Sequence, residues 1–303
     1  MKTALILIRR NIKLFFKDKG MFFTSLITPV ILLVLYATFL ANVYRDSFIQ
    51  NFPETVVVSG KILNGLVGGQ LLSSLISVTA VTVAFCSNLL MVQDKVSGAR
   101  LDIDITPVKS SIVSLSYYIA TFITTLGICL FALTACLGYI AFIGFYLSFV
   151  DIILLISDTV MLVFFGTALS SIVNSFLSTQ GQMSAVGSIV SSCYGFIAGA
   201  YMPVSSFSSG LRNVVCMLPG TYGTSLLRNH ALGGALGELE KLGFNQMHLT
   251  SLKDALDCNL YLFGRQIPTF VMYLVLIGVT LLLVGAFVLI TYLKNKKIKK
   301  SDR

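Results

Sequence analysis

Residues 64–92 read NGLVGGQLLSSLISVTAVTVAFCSNLLMV, a run without a single charged side chain. The hydrocarbon core of a bilayer is about 30 Å thick, and a helix of about 20 apolar residues crosses it. The run therefore predicts a transmembrane helix. The same pattern recurs in five further runs: 21–44, 112–139, 152–173, 181–201 and 269–293.

The basic residues are sorted away from these six runs. All 22 Lys and Arg residues fall outside them, and a basic side chain at the centre of a spanning helix costs about 2.5 to 3.5 kcal/mol. Charged residues make up 12% of the chain, whereas an average soluble domain has about 25%. We expect an all-α integral membrane fold with six transmembrane helices, formed by one transmembrane domain over residues 1–303.

The basic residues also predict the orientation of the chain. The segment before the first run holds six Lys and Arg residues, the loop 93–111 holds three and the tail holds six. The other side holds seven, of which five lie in the long segment 202–268, and long segments cross largely regardless of charge. Both termini are therefore expected in the cytoplasm. The tail predicts anchoring to anionic membrane lipid, with no need for a nucleic acid partner, through Lys294, Lys296, Lys297, Lys299 and Lys300.

Residues 1–20 predict an amphipathic helix on the inner membrane surface. Basic side chains form an i, i+4 row and apolar side chains occupy the other side, as in interfacial helices. Such a helix either anchors the chain or acts as a lever beside a cytoplasmic partner. The basic row is Arg9, Lys13 and Lys17, and the apolar side is Leu5, Ile8, Ile12, Phe15 and Phe16.

Two predicted spans carry small and polar residues at helical spacing. In lipid such a stripe faces protein or water, so it marks either a tight helix contact or the wall of a pathway. The candidate residues for a substrate pathway or a dimer interface are Gln70, Ser73, Ser77, Phe85 and Asn88 in the second run, and Gly187, Ser191, Gly195 and Gly199 in the fifth.

Asp158 is the one charged residue inside a predicted span. It follows Asp151 by two helical turns, about 10 Å deeper on the same face, and no predicted span offers a basic partner. Two interpretations stay open: a protonated or water-contacting aspartate, or a proton or ion site.

The segment 202–268 is too long for a plain connection and too apolar for a flexible one. We expect short helices that dip toward the membrane and form a lid over its outer face, one of them starting at Ser251 and Asp254. Cys216 and Cys258 lie in this segment, where oxidising conditions permit either a disulfide or two free thiols.

Several kinds of chemistry are absent from the sequence. No GxxxxGK[ST] loop for nucleotide binding occurs, and the only histidines, His230 and His248, have no Cys or His neighbours at metal-ligand spacing. No GxSxG nucleophile elbow occurs either. The chain is therefore expected to bind no metal or cofactor and to catalyse no reaction by itself.

Residues 93–108 read QDKVSGARLDIDITPV. This stretch resembles the cytoplasmic loop of type 2 permeases of ATP-binding-cassette exporters, where a charged start and a glycine precede a short helix ending in Thr-Pro or Ser-Pro. The resemblance extends over the chain, since these permeases share the amphipathic start, the six spans and the long outer segment. Pro219, Tyr222 and Arg228 also resemble the family's pattern after the fifth span.

The resemblance implies a partner and a mechanism. Two permeases, identical or related, would face each other through their second and fifth spans in the cell membrane, which is expected to be a bacterial plasma membrane. Each would rest on a separate ATPase subunit that binds ATP and Mg and moves the loop 93–111. The implied coupling residues are Asp94, Lys95, Gly98, Arg100, Leu101, Asp102, Thr106 and Pro107, with Arg9, Lys13 and Lys17 of the amphipathic start.

The cargo is predicted from the lining of the candidate pathway. Serines, small residues and aromatics without a charged ring suit an amphipathic molecule such as a drug or an antimicrobial peptide. A polysaccharide or lipid exporter is one alternative. A secondary transporter driven by an ion gradient through Asp158 is another, although no inverted repeat or broken helix pair is evident.

Overall fold

The computed structural model describes residues 2–50, 52 and 58–301, with side chains described up to Leu293. These residues form a helical bundle with one short β-hairpin. The basic tail continues the last helix, but its side chains, the predicted lipid anchors, lie outside the described residues.

The elements follow one another in a simple order. A π-helical turn, Tyr36–Leu40, joins the second and third helices into one rod. In chain order the elements are α1 (Lys2–Lys17), α2 (Lys19–Leu35), α3 (Ala41–Gln50), α4 (Gly60–Asn88), α5 (Leu90–Val96), α6 (Ala99–Asp104), α7 (Ser110–Ile143), α8 (Phe149–Phe176), α9 (Gln180–Ile197), α10 (Ser209–Val215), α11 (Pro219–Lys241), α12 (Gln246–Ala255), β1 (Leu260–Leu262), β2 (Arg265–Ile267) and α13 (Thr269–Ser301).

Five stretches of the described chain are long and apolar enough to cross a membrane. They contain the predicted runs 21–44, 64–92, 112–139, 152–173 and 269–293. The structure gives their bounds as Lys19–Gln50, Gly60–Val96, Ser110–Ile143, Phe149–Phe176 and Thr269–Leu293.

The predicted run 181–201 differs from the other five. Its helix, α9, begins with a capping box between Thr179 and Gln182 and ends at Ile197 after 18 residues. At 1.5 Å per residue it is about 27 Å long, slightly less than the hydrocarbon core. The chain then turns through Gly199, which has φ +68°, so the prediction that this span continues to Tyr201 is wrong. The count of six spans stays a prediction.

Helix α4 is the central helix of the bundle. Its most apolar window is 94% buried, and it packs against α2, α7, α8 and α11. Small side chains allow these approaches, because they let helix backbones come close together. A Cβ added at Gly69 would lie 2.7 Å from the carbonyl oxygen of Ala231 on α11.

Helix α11 is the main departure from the predicted lid. It is 23 residues long, begins with Pro219 in its first turn, and packs among α4, α8 and α13. The segment 202–268 therefore contributes a long buried helix to the bundle as well as short elements. The predicted helix start at Ser251 is also wrong, since Asn245 caps α12 by accepting a hydrogen bond from the amide of His248.

Candidate functional site

The joint between α1 and the loop 93–111 is a buried ion pair. Arg10 donates from Nη1 and Nη2 to the carboxylate of Asp94, over 2.6 and 3.0 Å. Asp94 is buried, and the hydroxyl of Tyr117 on α7 donates to the same carboxylate. The hydrogen bond that Arg10 donates to Asp94 raises the pKa of Arg10 above its ordinary value. Three elements, α1, α5 and α7, are thereby joined at one point.

Two neighbouring residues strengthen this joint. Asn11 is buried on α1 and donates its Nδ2 to the Oγ of Ser116 on α7 over 3.4 Å. Phe15, one turn further along α1, is 1% exposed and packs with Val83 and Ile128. The inner face of α1 therefore reaches the core of the bundle, which a helix resting on lipid alone would not do.

Lys95 joins the same loop to the end of α8. Its Nζ donates to the carbonyl oxygens of Ser175 and Leu177 over 3.2 and 3.1 Å. The last carbonyl groups of a helix have no partner within the helix, and a cation there is favourable. A movement of α5 would therefore be passed directly to α8.

Helix α6 leaves an apolar surface at this end of the bundle. Gly98, at φ +83°, turns the chain into α6, and Arg100 holds the helix by donating to Asp104 and Ser110 over 3.0 and 2.8 Å. Leu101 is 69% exposed and Ile105 is 86% exposed. Exposed apolar side chains next to one another mark contact sites. Asp102, Thr106 and Pro107 are exposed on the same short segment.

The predicted coupling residues thus fall into two groups. Asp94, Lys95 and Arg100 hold the loop to the bundle and Gly98 provides the turn into α6. The exposed group consists of Leu101, Asp102, Thr106 and Pro107 with Arg9, Lys13 and Lys17 on α1. The sequence interpretation missed Arg10 and Tyr117. Arg10 directly follows Arg9 of the basic row and lies with Asn11 toward the inner side of α1. Its position off the basic row was the available signal that it contacts the bundle.

The predicted pathway stripe of α4 lies inside the chain. Gln70, Ser73, Ser77, Phe85 and Asn88 are all buried. Ser77 hydrogen-bonds Thr224 of α11, and Asn88 donates to Ser171 of α8 over 2.9 Å. These contacts correspond to the helix-contact interpretation of the stripe.

An open groove of about 880 Å³ lies between α2 and α9 instead. Of the predicted residues, Gly187 and Ser191 line it, while Gly195 and Gly199 are buried and do not line it. One wall is the apolar face of α2 and the other is the serine-rich face of α9. The lining residues include Met21, Ile27, Ile31, Leu35, Phe39, Ser184, Ser188, Ser192 and Phe196.

Asp158 is 1% exposed and fully occupied by two partners. Its Oδ2 lies 2.6 Å from Nδ1 of His230, and its Oδ1 accepts from the hydroxyl of Tyr273 over 2.7 Å. The partner comes from outside the predicted spans, because α11 of the segment 202–268 brings His230 into the bundle. Asp151 instead belongs to a capping box with Ser148 at the start of α8.

Arg228 forms a second buried network on α11. It is 1% exposed and donates to the carboxylate of Asp257 over 2.9 Å and to the carbonyl oxygen of Gly199. Asp257 also accepts from the amides of Val204 and Ser205. Burial raises the pKa of Asp257, while Arg228 and the two amides act in the opposite direction. The network fixes the turn after α9 against α11.

The structure has six free cysteines, so the alternative of a disulfide between Cys216 and Cys258 is wrong. Both side chains are buried. Burial raises the pKa of Cys258 to about 12, which disfavours the reactive thiolate.

Comparison with known proteins identifies the family. No curated protein matches the chain at a significant level. The family model described as ABC-2 family transporter protein, however, matches residues 49–293. This range includes the loop 93–111, the α9 wall of the groove and both buried networks of α11, and it covers most of the chain. The protein therefore belongs to the family of ABC-2 transporter proteins, the membrane permeases of ABC transporters.

Proposed function

We propose that this chain exports an amphipathic molecule, such as a drug or an antimicrobial peptide, as one of a pair of permeases. As an ABC-2 family member it is a transmembrane subunit of an ABC transporter, and its family implies an ATP-binding partner subunit. ATP and Mg would be bound by that partner. The proposal adds the direction of transport, the class of cargo and the pairing.

The exposed surface of α6 is the observation that carries the proposal. Leu101 on the six-residue helix α6 and Ile105 directly after it are exposed, and Arg100 keeps that helix on the end of α7. An ATPase that covers these two side chains would gain the burial of apolar surface, worth about 25 cal/mol per Å². Its movement would then act on a loop that is already fastened to the bundle.

Force applied at α6 has two routes into the spans. Through Asp94 it reaches α1 and α7, and through Lys95 it reaches the end of α8. Charged hydrogen bonds are stronger and shorter than neutral ones, so these connections suit the transfer of movement. The same loop follows α4 through α5, so a movement of the loop would also act on the central helix of the bundle.

The groove supports an amphipathic cargo. Its α2 wall offers apolar side chains such as Ile27 and Ile31, and its α9 wall offers hydroxyl groups such as Ser188. Two such grooves from paired permeases would enclose one pathway. The basic surface of α1 and the loop 93–111 lie at one end of the bundle, and by the distribution of basic residues this end is placed in the cytoplasm.

The decisive experiment is purification of the chain with a co-expressed neighbouring ATPase. Leu101→Asp combined with Ile105→Asp should abolish copurification and nucleotide-dependent export, because two charges replace the apolar contact. Phe263→Asp is the matched control, since Phe263 is 68% exposed at the hairpin, far along the chain from α6. Failure of the unchanged chain to copurify with any neighbouring ATPase would overturn the proposal.

A second candidate is transport driven by an ion gradient through Asp158. The observation in its favour is that a buried carboxylate contacts two further titratable side chains, His230 and Tyr273. The exporter is favoured because the family is that of ABC permeases. Asp158→Asn separates the two, since an exporter powered by ATP should continue to transport without an ionisable group there.

A further inference from the structure

The groove between α2 and α9 has an electrically uneven lining. Asp18 is the only charged side chain among the described residues that line it, and it lies at the end nearest the loop 93–111 together with Gln93 and Gln180. The far end is lined by aromatic side chains, Phe39 and Phe196 among them. A molecule that fills the groove therefore meets a negative charge at one end and apolar or hydroxyl groups elsewhere.

Asp18 and Gln93 present unused hydrogen-bond acceptors. Oδ1 of Asp18 caps α2 by accepting from the amide of Met21 over 3.0 Å, but Oδ2 receives only a long contact of 3.4 Å from Nε2 of Gln93. The Oε1 atom of Gln93 is buried and has no hydrogen-bond partner in the described part of the chain. Buried acceptors are normally satisfied, so this end of the groove lacks a donor.

No basic side chain of the described residues supplies that donor. Lys17 and Lys19 flank Asp18 in the sequence, but both are exposed and neither lines the groove. Arg10, the nearest guanidinium along the chain, is held by Asp94. Asp18 forms no ion pair within the described structure, whose salt bridges all involve other carboxylates.

We propose that the groove selects cationic amphiphiles, with an ammonium group at Asp18 and Gln93 and the apolar part along α2. An ammonium carries three N–H donors and a positive charge, which match the weakly bonded Oδ2 of Asp18 and the unpartnered Oε1 of Gln93. The row Ile27, Ile31 and Leu35 then covers the alkyl part. This inference rests on the proposed function, because it names the substrate class of the same groove.

The chain contains no tryptophan, so Ile31→Trp introduces a single fluorophore into the groove. The variant is placed in nanodiscs of zwitterionic lipid without its ATPase. Three probes are added that share one brominated chain, which quenches tryptophan on contact: 12-bromododecylammonium, 12-bromododecanol and 12-bromododecyl sulfate. We expect the ammonium to quench at concentrations about tenfold lower than the alcohol, as expected for a hydrogen bond to a charged group, and the sulfate to be the weakest.

Three controls isolate the contribution of Asp18. Asp18→Asn, combined with Ile31→Trp, removes the charge but keeps the helix cap, because Asn caps about as well as Asp; it should abolish the tenfold preference. Asp46→Asn, also combined with Ile31→Trp, removes an exposed carboxylate on α3, outside the groove, and should preserve the preference. Leu282→Trp, at a side chain 73% exposed on α13, reports partition of each probe into lipid.

The outcomes are distinct. Equal quenching by the three probes, a preference that survives Asp18→Asn, or an equal preference at Leu282→Trp would each overturn the inference. Absence of quenching by every probe would also overturn it and would point to a groove closed by a second copy of the chain. Copurification with the ATPase is measured separately. If the preference for the ammonium is lost but copurification is intact, only the inference about the cargo fails. If copurification fails but the preference is intact, only the proposed function fails.

Discussion

Arg10 and Asp94 are 84 residues apart in the chain and are joined by two hydrogen bonds of 2.6 and 3.0 Å. Asp94 is buried, whereas the Arg10 side chain is 31% exposed. The amphipathic start and the loop 93–111 are therefore connected directly. An ATPase that displaces the loop would move α1 with it, which supports the interpretation of α1 as a lever.

The pair predicts a coupled loss of stability. Arg10→Ala should lower the free energy of unfolding by about 1.5 to 3 kcal/mol, the range for a hydrogen bond to a charged group, and Asp94→Ala should have a similar effect. The double variant should lose clearly less than the sum, because each single change already removes the pair. Thermal unfolding by circular dichroism measures all three, with Arg9→Ala as an exposed control. Additive losses would show that the two residues act independently.

The spans were predictable because hydropathy reports contact with lipid. Runs such as 64–92 and 269–293 combine length with apolar side chains, and the structure has helices there. Hydropathy did not predict helix α11 as part of the bundle, since it carries polar residues such as Arg228 and His230. Those side chains are tolerated in the bundle because partners from other helices satisfy them, and such long-range partners leave no local pattern in one sequence.

The position of α11 is tested by two glycines of that helix. A Cβ at Gly234 would lie 1.8 Å from the carbonyl oxygen of Tyr146, whereas a Cβ at Gly237 meets nothing within 4 Å. Gly234→Ala should therefore reduce the free energy of unfolding by about 3 kcal/mol or more through overpacking. Gly237→Ala should stabilise the protein by about 0.5 to 1 kcal/mol, because alanine is the better helix former. Equal tolerance of both changes would place α11 outside the bundle.

The candidate site was only partly readable from sequence. The loop 93–111 was identified through its charge, glycine and Thr-Pro ending, which are local features. The groove depends on how α2 and α9 are spaced. The sequence therefore pointed to Gly187 and Ser191 of its α9 wall, but it missed the α2 wall and included the stripe of α4. Ser77 and Asn88 are polar, as residues of a pathway wall can be, but their hydroxyl and amide groups form hydrogen bonds with Thr224 and Ser171.

Asp158 provides a test that separates stability from transport. Asp158→Leu should cost about 3 to 5 kcal/mol of unfolding free energy, because His230 and Tyr273 are left without their partner. Asp158→Asn is nearly isosteric and still accepts from Tyr273, so its cost should be about 1 to 2 kcal/mol. Export powered by ATP should persist in the Asn variant, measured per molecule of folded protein. A complete loss of export with normal assembly and stability would instead favour a proton or ion site.

The cysteines give a prediction that needs no transport assay. Because Cys216 and Cys258 are buried thiols, and burial raises the pKa of Cys258 to about 12, both should resist N-ethylmaleimide in the folded protein at neutral pH. Both should react after denaturation without any reductant, since no disulfide holds them. Cys193 is exposed on α9 and serves as the positive control for labelling in the native state. Mass spectrometry of peptides counts the labels, and a Cys216–Cys258 pair that reacts only after reduction would contradict the two free thiols of the structure.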